Sequence, residues 1–170
     1  MRELFVVVSG APGSGKSTIA GPLARALDLP LIEKDVIKEA LADELPAHDI
    51  AESGRLGAAT MRVIIALAQR NPGAVLESTW HRELALPELA RLESPIVEVF
   101  CDVAPEVAQQ RFARRAGTRH PVHFDIEQAD NLDGWIERHP QCVNGGWPLI
   151  TVDATREVDV DALAARVLAT

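Results

Sequence analysis

Apolar residues fall along this chain in two alternating patterns, short unbroken runs and longer stretches in which they recur every three or four positions. Residues 4–9 (LFVVVS) form an apolar run rich in strand-favouring residues that stops at Gly10, the pattern of a buried parallel strand. Residues 17–27 place Ile19, Leu23, Ala24 and Leu27 at helical spacing. Pro22 lies inside that helix, near enough to its start to be tolerated at the risk of a kink. Residues 31–32 read as a second short strand, and Asp35 is placed to cap a helix over 36–41. The polar stretch 43–53, with Pro46, predicts a loop or a weak helix. A helix follows over 54–70, with Leu56, Met61, Ile64, Ile65 and Leu67 as its apolar face, and Asn71-Pro72-Gly73 ends it. Residues 74–79 predict the third strand, 82–92 a helix, and 96–101 the fourth strand. Pro105 opens a helix over 105–115. Residues 117–146 show no regular period, 149–152 predict the fifth strand, and 160–168 close the chain as an amphipathic helix.

Strands that alternate with helices imply an α/β fold, a parallel sheet of about five strands with helices on both faces. No repeat, low-complexity tract or linker interrupts the 170 residues, so one domain over 1–170 is expected. Hydrophobic residues at 47% and charged residues at 25% are a globular balance, sufficient for a core without staples. The longest apolar segments, 4–8 and 63–68, fall far short of the ~20 residues that cross a bilayer. The first of them runs into a glycine loop instead of a cleavage site, and the cytoplasm is the expected location. Cys101 and Cys142 have no metal-ligand spacing and read as idle thiols in a reducing compartment.

Charge narrows the partners. Seventeen basic against twenty-five acidic residues give −8, so a long nucleic acid is disfavoured as a partner. A small anion is not, because a local cluster of N–H groups and arginines outweighs a diffuse net charge. Arg111, Arg114, Arg115 and Arg119 form such a cluster.

The chemistry concentrates in Gly10-Ala11-Pro12-Gly13-Ser14-Gly15-Lys16-Ser17, which meets the spacing G-x-x-x-x-G-K-[ST]. Glycines let the backbone turn and approach phosphates with no Cβ in the way. The loop's N–H groups then converge on a phosphate at the positive end of the following helix. Lys16 is suited to neutralise β/γ oxygens, and the Ser17 hydroxyl to ligate Mg²⁺. The flanking strand and helix supply the context that the motif requires, so ATP with Mg²⁺ is the expected cofactor pair.

Residues 10–18 (G-x-P-G-S-G-K-S-T, ending at Thr18) together with the D-x-I-K segment at 35–38 resemble one branch of the P-loop kinases. That branch includes the kinase domain of phage polynucleotide kinase, the chloramphenicol phosphotransferases and the zeta toxins; gluconate and shikimate kinases are more distant relatives. The resemblance implies a single-domain P-loop NTPase fold with a small arginine-bearing lid over about 111–125. It places Asp35 against the acceptor hydroxyl as base or orienter, a role that stands beside the helix-cap reading. It places Gly10 to Thr18 on ATP, and it makes residues near 34–53 and 80–82, among them Lys38, Trp80 and Arg82, the acceptor pocket. The lid resemblance rests on Arg111-x-x-x-Arg115 followed by Gly117-Thr118. Residues four apart share a helix face, so Arg111 and Arg115 are expected to meet one phosphate site, with Arg119 a third contact. A solvated basic helix end is the alternative. Glu77-Ser78-Thr79 departs from the D-x-T of the family's third strand, and Glu77 reads either as a water-mediated Mg²⁺ contact or as the partner of a nearby cation.

His120 and His123, three apart, could meet a metal, but no third ligand completes a site at familiar spacing. Trp80 reads equally as a stacking platform for the acceptor and as core, and Trp135 and Trp147 as packing residues. The expected function is transfer of the ATP γ-phosphoryl to a hydroxyl of a small organic acceptor. Alternatives are a nucleoside or polynucleotide 5′-kinase, a toxin-like kinase of a nucleotide sugar, and an ATP-binding switch with no acceptor. Oligomeric state is not legible.

Overall fold

Phe5–Ser9 (β1), Leu31–Glu33 (β2), Ala74–Glu77 (β3), Ile96–Asp102 (β4) and Leu149–Asp153 (β5) form one parallel sheet in the order β2-β3-β1-β4-β5. The computed structural model describes residues 2–129 and 142–170. Much of the irregular stretch 117–146, Trp135 included, lies outside those residues. β1 pairs with β3 on one side and β4 on the other, with Val7 beside Leu76 and Glu98. The chain therefore leaves β1 toward one edge of the sheet and later builds the other edge, which makes the C-terminal end of β1 the switch point where an open α/β sheet leaves a crevice.

The helices among the described residues are Lys16–Leu27 (α1), Lys34–Glu44 (α2), Ile50–Ala68 (α3), Arg82–Leu89 (α4), Pro105–Arg115 (α5), Asp125–Ala129 (α6) and Val160–Leu168 (α7), with a single 3₁₀ turn at Pro121–His123. Alternation along β1 feeds two cores. Val6 and Val8 pack with Leu23 and Leu27 of α1 and Leu163 and Val167 of α7, while Phe5 and Val7 pack with Ile64 of α3, Leu76 and Leu89. All five residues of β1 are buried, which explains its unbroken apolar run. β5 instead alternates exposed and buried positions, as an edge strand covered on one face does.

Several boundaries differ from expectation, for local reasons. α2 starts at Lys34, so Asp35 sits in its first turn and is not the cap; Glu33 is the N-cap residue and makes no side-chain cap bond. α2 continues to Glu44 and α3 begins at Ile50, which leaves little of the expected 43–53 loop. The early start of α3 comes from reciprocal capping. Asp49 Oδ1 accepts from the Glu52 N–H at 2.7 Å, and Glu52 Oε2 accepts from the His48 N–H at 2.9 Å. The buried face of α3 also includes Ser53, Gly57 and Thr60, whereas Leu67 is 43% exposed. α1 runs through Pro22 without ending. No helix among the described residues is long and apolar enough to cross a membrane.

Candidate active site

The glycine loop leaves β1 at Ser9 and enters α1 at Lys16. A Cβ on Gly13, at φ +83°, would fall 2.3 Å from the Ala108 carbonyl of α5, so only glycine lets the two segments approach. The Ala11 carbonyl closes the loop, accepting from the Ser14 N–H at 3.0 Å and from Lys16 Nζ at 2.9 Å. Burial pulls the Lys16 ammonium below its usual range, and the Glu77 carboxylate opposes that shift. Ser14 Oγ is buried without a hydrogen-bond partner among the described residues. A loop with a close-packed backbone, a desolvated lysine and an orphaned hydroxyl fits a phosphate group, which supplies the missing acceptors.

From this loop a cleft of about 1300 Å³ extends between α2, α3 and α4. It is lined by Lys16 and Ser17 on one side and by Asp35 and Lys38 on the other, with Glu77 and Trp80 at the end of β3. Lys38 is buried, and Nζ donates to Ser53 Oγ at 2.7 Å and the Val122 carbonyl at 3.4 Å. Burial and the neighbouring Lys34 ammonium bring Lys38 down to about 8. Glu77 is 5% exposed, and burial raises its carboxyl while Lys16 lowers it. Glu77 thus lies in the field of Lys16 without forming an ion pair with it among the described contacts. Ser17, Glu77 and the phosphate loop fit a Mg²⁺ ion, which keeps several waters and shares phosphate oxygens; when bound, it offsets the charge of those oxygens. Trp80 belongs to the core at 1% exposure, donating from Nε1 to the Val8 carbonyl at 3.2 Å, and its ring also floors the cleft.

The arginines part company. Arg115 lines the cleft; its guanidinium carbon sits 5.2 Å from the centroid of the Phe112 ring, and its buried Nε has no hydrogen-bond partner among the described residues. Arg111 does not share that site. It donates to the Ala154 carbonyl at 2.9 Å and the Thr155 carbonyl at 3.4 Å, and lines a separate hollow of about 590 Å³ with Thr18 and Pro22. Sharing a helix face brought the two Cβ atoms together, but long side chains diverged to different acceptors. Arg119 also departs from the expected nucleotide contact. It pairs with Asp35 and, at 3.3 Å, with Asp125, which leaves its charge already matched by two carboxylates.

Arg82 is absent from the cleft wall, contrary to expectation. Its guanidinium donates to the Val143 and Asn144 carbonyls, the latter at 2.7 Å, and anchors the segment that returns toward β5. The same segment is held by Glu98, a fully buried carboxylate in β4 that pattern reading missed. Glu98 accepts from Ser9 Oγ at 2.6 Å, the Val143 and Asn144 N–H groups at 2.7 and 2.8 Å, and Trp147 Nε1 at 3.3 Å. A lone acid inside the apolar run IVEVFC was the available signal. Glu39 was missed because its partner His123 lies 84 residues along the chain, and Asp125 because it falls in the stretch without regular period, where spacing does not show that Arg119 folds back on it. The two histidines do not converge: His120 Nε2 lies 3.3 Å from Asp43, and His123 Nε2 lies 2.7 Å from Glu39. Among the described residues no group of three or more histidine, cysteine or acidic side chains could hold a metal.

The glycine loop at the switch point of a five-stranded parallel sheet defines a P-loop kinase fold. The chain belongs to the AAA domain family, whose profile matches residues 5–139. It is similar to a shikimate kinase of Rhodococcus jostii (strain RHA1), at 48% identity over 48 residues. That match covers 28% of this chain and 29% of the relative, so the chain spans under a third of the curated relative's length. A candidate kinase from Chloroflexus aurantiacus J-10-fl superposes with a TM-score of 0.85 at 27% identity, covering 99% of this chain and 98% of that one. A gluconokinase from Sinorhizobium meliloti 1021 shares the fold with a TM-score of 0.63 at 23% identity, covering 98% and 92% of the two chains.

Proposed function

We propose that this chain is an ATP-dependent phosphotransferase that passes the γ-phosphoryl of ATP to a hydroxyl of a small organic acceptor. The observation that carries the reading is the meeting of Lys16, Arg115 and Asp35 on one cleft, a phosphate grip facing a carboxylate. The names of the relatives, kinases of shikimate and of gluconate, favour a small acceptor. The finer likeness to the polynucleotide kinase, chloramphenicol phosphotransferase and zeta toxin branch, carried by residues 10–18 and 35–38, is part of this proposal.

In this reading the loop N–H groups, Ser14 and Lys16 hold the phosphates, and Arg111 stands at the hollow beside α1 where the nucleobase end would lie. The orphaned Arg115 Nε offers a donor to charge that develops during transfer, where a preorganised contact counts most. Asp35 accepts a hydrogen bond from the attacking hydroxyl and orients it in line. Lys38 and the floor of Trp80 bound the acceptor. A coupled assay of ADP release over sugars, sugar acids, nucleosides and antibiotics, with mass spectrometry of each hit, tests the proposal. A product heavier by one phosphoryl group is expected. Binding of MgATP with no acceptor raising ADP release above its basal rate would leave an ATP-binding switch instead.

A further inference from the structure

Asp35 and Arg119 are 84 residues apart in sequence, yet the guanidinium of Arg119 donates to Asp35 Oδ2. The guanidinium is itself held from behind. Its other terminal nitrogen reaches both oxygens of Asp125, at 3.4 and 3.3 Å, and Asp125 is only 5% exposed. His123 Nε2 lies 3.0 Å from Arg119 and 2.7 Å from Glu39 of α2. A second strap runs alongside, because the Val122 carbonyl accepts from Ser53 Oγ at 2.5 Å and from Lys38. The segment 119–125 is thus fastened to α2 and α3 through side chains on the acceptor side.

The two oxygens of Asp35 are not equivalent in this arrangement. Oδ2 is occupied by Arg119, whereas Oδ1 has Lys34 Nζ at 3.8 Å and accepts no hydrogen bond among the described residues. We infer that Arg119 is a positioning residue of the transfer reaction: gripped by Asp125, it fixes the rotamer of Asp35 so that Oδ1 faces the acceptor hydroxyl. This rests on the role of Asp35 proposed above. The inference removes Arg119 from the nucleotide site. It also makes Asp35 an orienting hydrogen-bond acceptor held ionised by its partner, with little proton-accepting power of its own.

Charge around Asp35 is mixed. Burial raises its carboxyl, and Lys34, Arg119, His123 and Lys16 together outweigh burial and bring it below the ordinary value. Lys38, Arg115, Glu33 and Glu77 share the same field. Among these groups it is Arg119 that donates a hydrogen bond to an oxygen of Asp35.

The test reads Asp35 itself. Side-chain carboxyl ¹³C shifts are titrated in the wild-type protein and in Arg119→Gln, Arg119→Lys and Asp125→Asn, with no substrate present. The Asp35 midpoint is expected to rise in Arg119→Gln, to be largely restored in Arg119→Lys, and to fall in Asp125→Asn, which removes a neighbouring negative charge and leaves Arg119 to Asp35. Affinity for Mg²⁺ with a non-hydrolysable ATP analogue is expected to stay within about threefold of wild type, while kcat for an acceptor found in the ADP screen falls about tenfold or more. Asp125→Asn, isosteric and remote from the reacting atoms, keeps the test decisive if Arg119→Gln fails to fold. An unmoved Asp35 midpoint in both Arg119→Gln and Asp125→Asn overturns the inference. So does a tenfold loss of analogue affinity in Arg119→Gln with unchanged titration, which returns Arg119 to the nucleotide. Because the titration needs no acceptor, a shifted midpoint in a protein that phosphorylates nothing upholds the Arg119 contact and overturns the kinase reading alone.

Discussion

Arg111 and Arg115 stand one turn apart on α5 and line two different hollows beside the glycine loop. Arg111 spends its donors on the Ala154 and Thr155 carbonyls, and Arg115 keeps at the cleft an Nε that is unpaired among the described residues. Their kinetic signatures should therefore separate. Arg115→Ala is expected to lower kcat ~10²-fold with a smaller change in ATP affinity, the signature of the transition-state contact proposed for it. Arg111→Ala is expected to raise KM for ATP with kcat nearly unchanged. Steady-state kinetics with ATP varied distinguishes them, and a pure KM effect at Arg115 would make it a ground-state binder.

Lys16 tests the loop as a whole. MgATP binding to the native state alone stabilises by roughly 2.7 kcal/mol at a hundredfold excess over Kd. Lys16→Ala is expected to remove most of the resulting rise in melting temperature. A full shift surviving in the variant would rule out this loop as the ATP site.

What could be read from the sequence followed from how local each constraint is. The strand–glycine loop–helix unit over residues 4–27 was legible because a phosphate cradle demands glycines at fixed spacing within one turn of chain. The start of α3 was not, because Asp49 and Glu52 set it by capping, while the large apolar residues of that stretch, Leu45 and Ile50, stay exposed and mark no buried face. Spacing placed Arg111 and Arg115 on one face but could not choose the acceptors that their long side chains would find. Arg82 and Glu98 depended on segment 142–147 returning over the sheet, contacts 45 to 62 residues apart that no periodicity encodes. Asp35 sat at the helix start as expected, but its pairing with Arg119 spans 84 residues and took precedence over capping.

Arg82 and Glu98 should behave as structural residues. Each buried partner left unsatisfied costs about 1–3 kcal/mol. Glu98→Gln replaces one acceptor oxygen by an amide N–H that faces the N–H donors of Val143, Asn144 or Trp147, so a loss of about that size or more is expected. Arg82→Ala should destabilise in the same range and leave acceptor KM unchanged. Urea unfolding measures both; an acceptor KM raised by Arg82→Ala at full stability would restore Arg82 to the substrate site.

Stability above neutral pH should carry the signature of Lys38. Its folded value of about 8 lies below the usual 10.5, so between those values the unfolded chain binds more protons than the native one. Stability contributed by this site therefore rises with pH across that window, and the cost of the buried charge is complete below about pH 8. Relative to Lys38→Met, the wild-type protein is expected to gain stability from pH 8 to 10 in urea unfolding. Parallel curves would mean that Lys38 titrates as an exposed lysine.

The sharpest test of the chemistry is Asp35→Asn. The substitution preserves size and leaves the start of α2 as it is, because Asp35 caps nothing and the Glu33 cap position makes no side-chain bond. It removes the negative charge that faces Arg119, but Arg119 retains Asp125 as a carboxylate partner and His123 as a neighbour, so the lid segment keeps a second hold. MgATP affinity and the melting transition are expected to persist, since Asp35 makes no described contact with the glycine loop. Transfer is expected to fall. General-base roles are worth typically 10²–10⁴-fold, and a carboxylate held by an arginine belongs near the lower end, where orientation of the hydroxyl matters more than its deprotonation. Acceptor turnover, nucleotide affinity and melting temperature are measured side by side in the two proteins. Intact binding with missing transfer supports the role in orientation. Turnover within about threefold of wild type would reduce Asp35 to the ion-pair partner of Arg119.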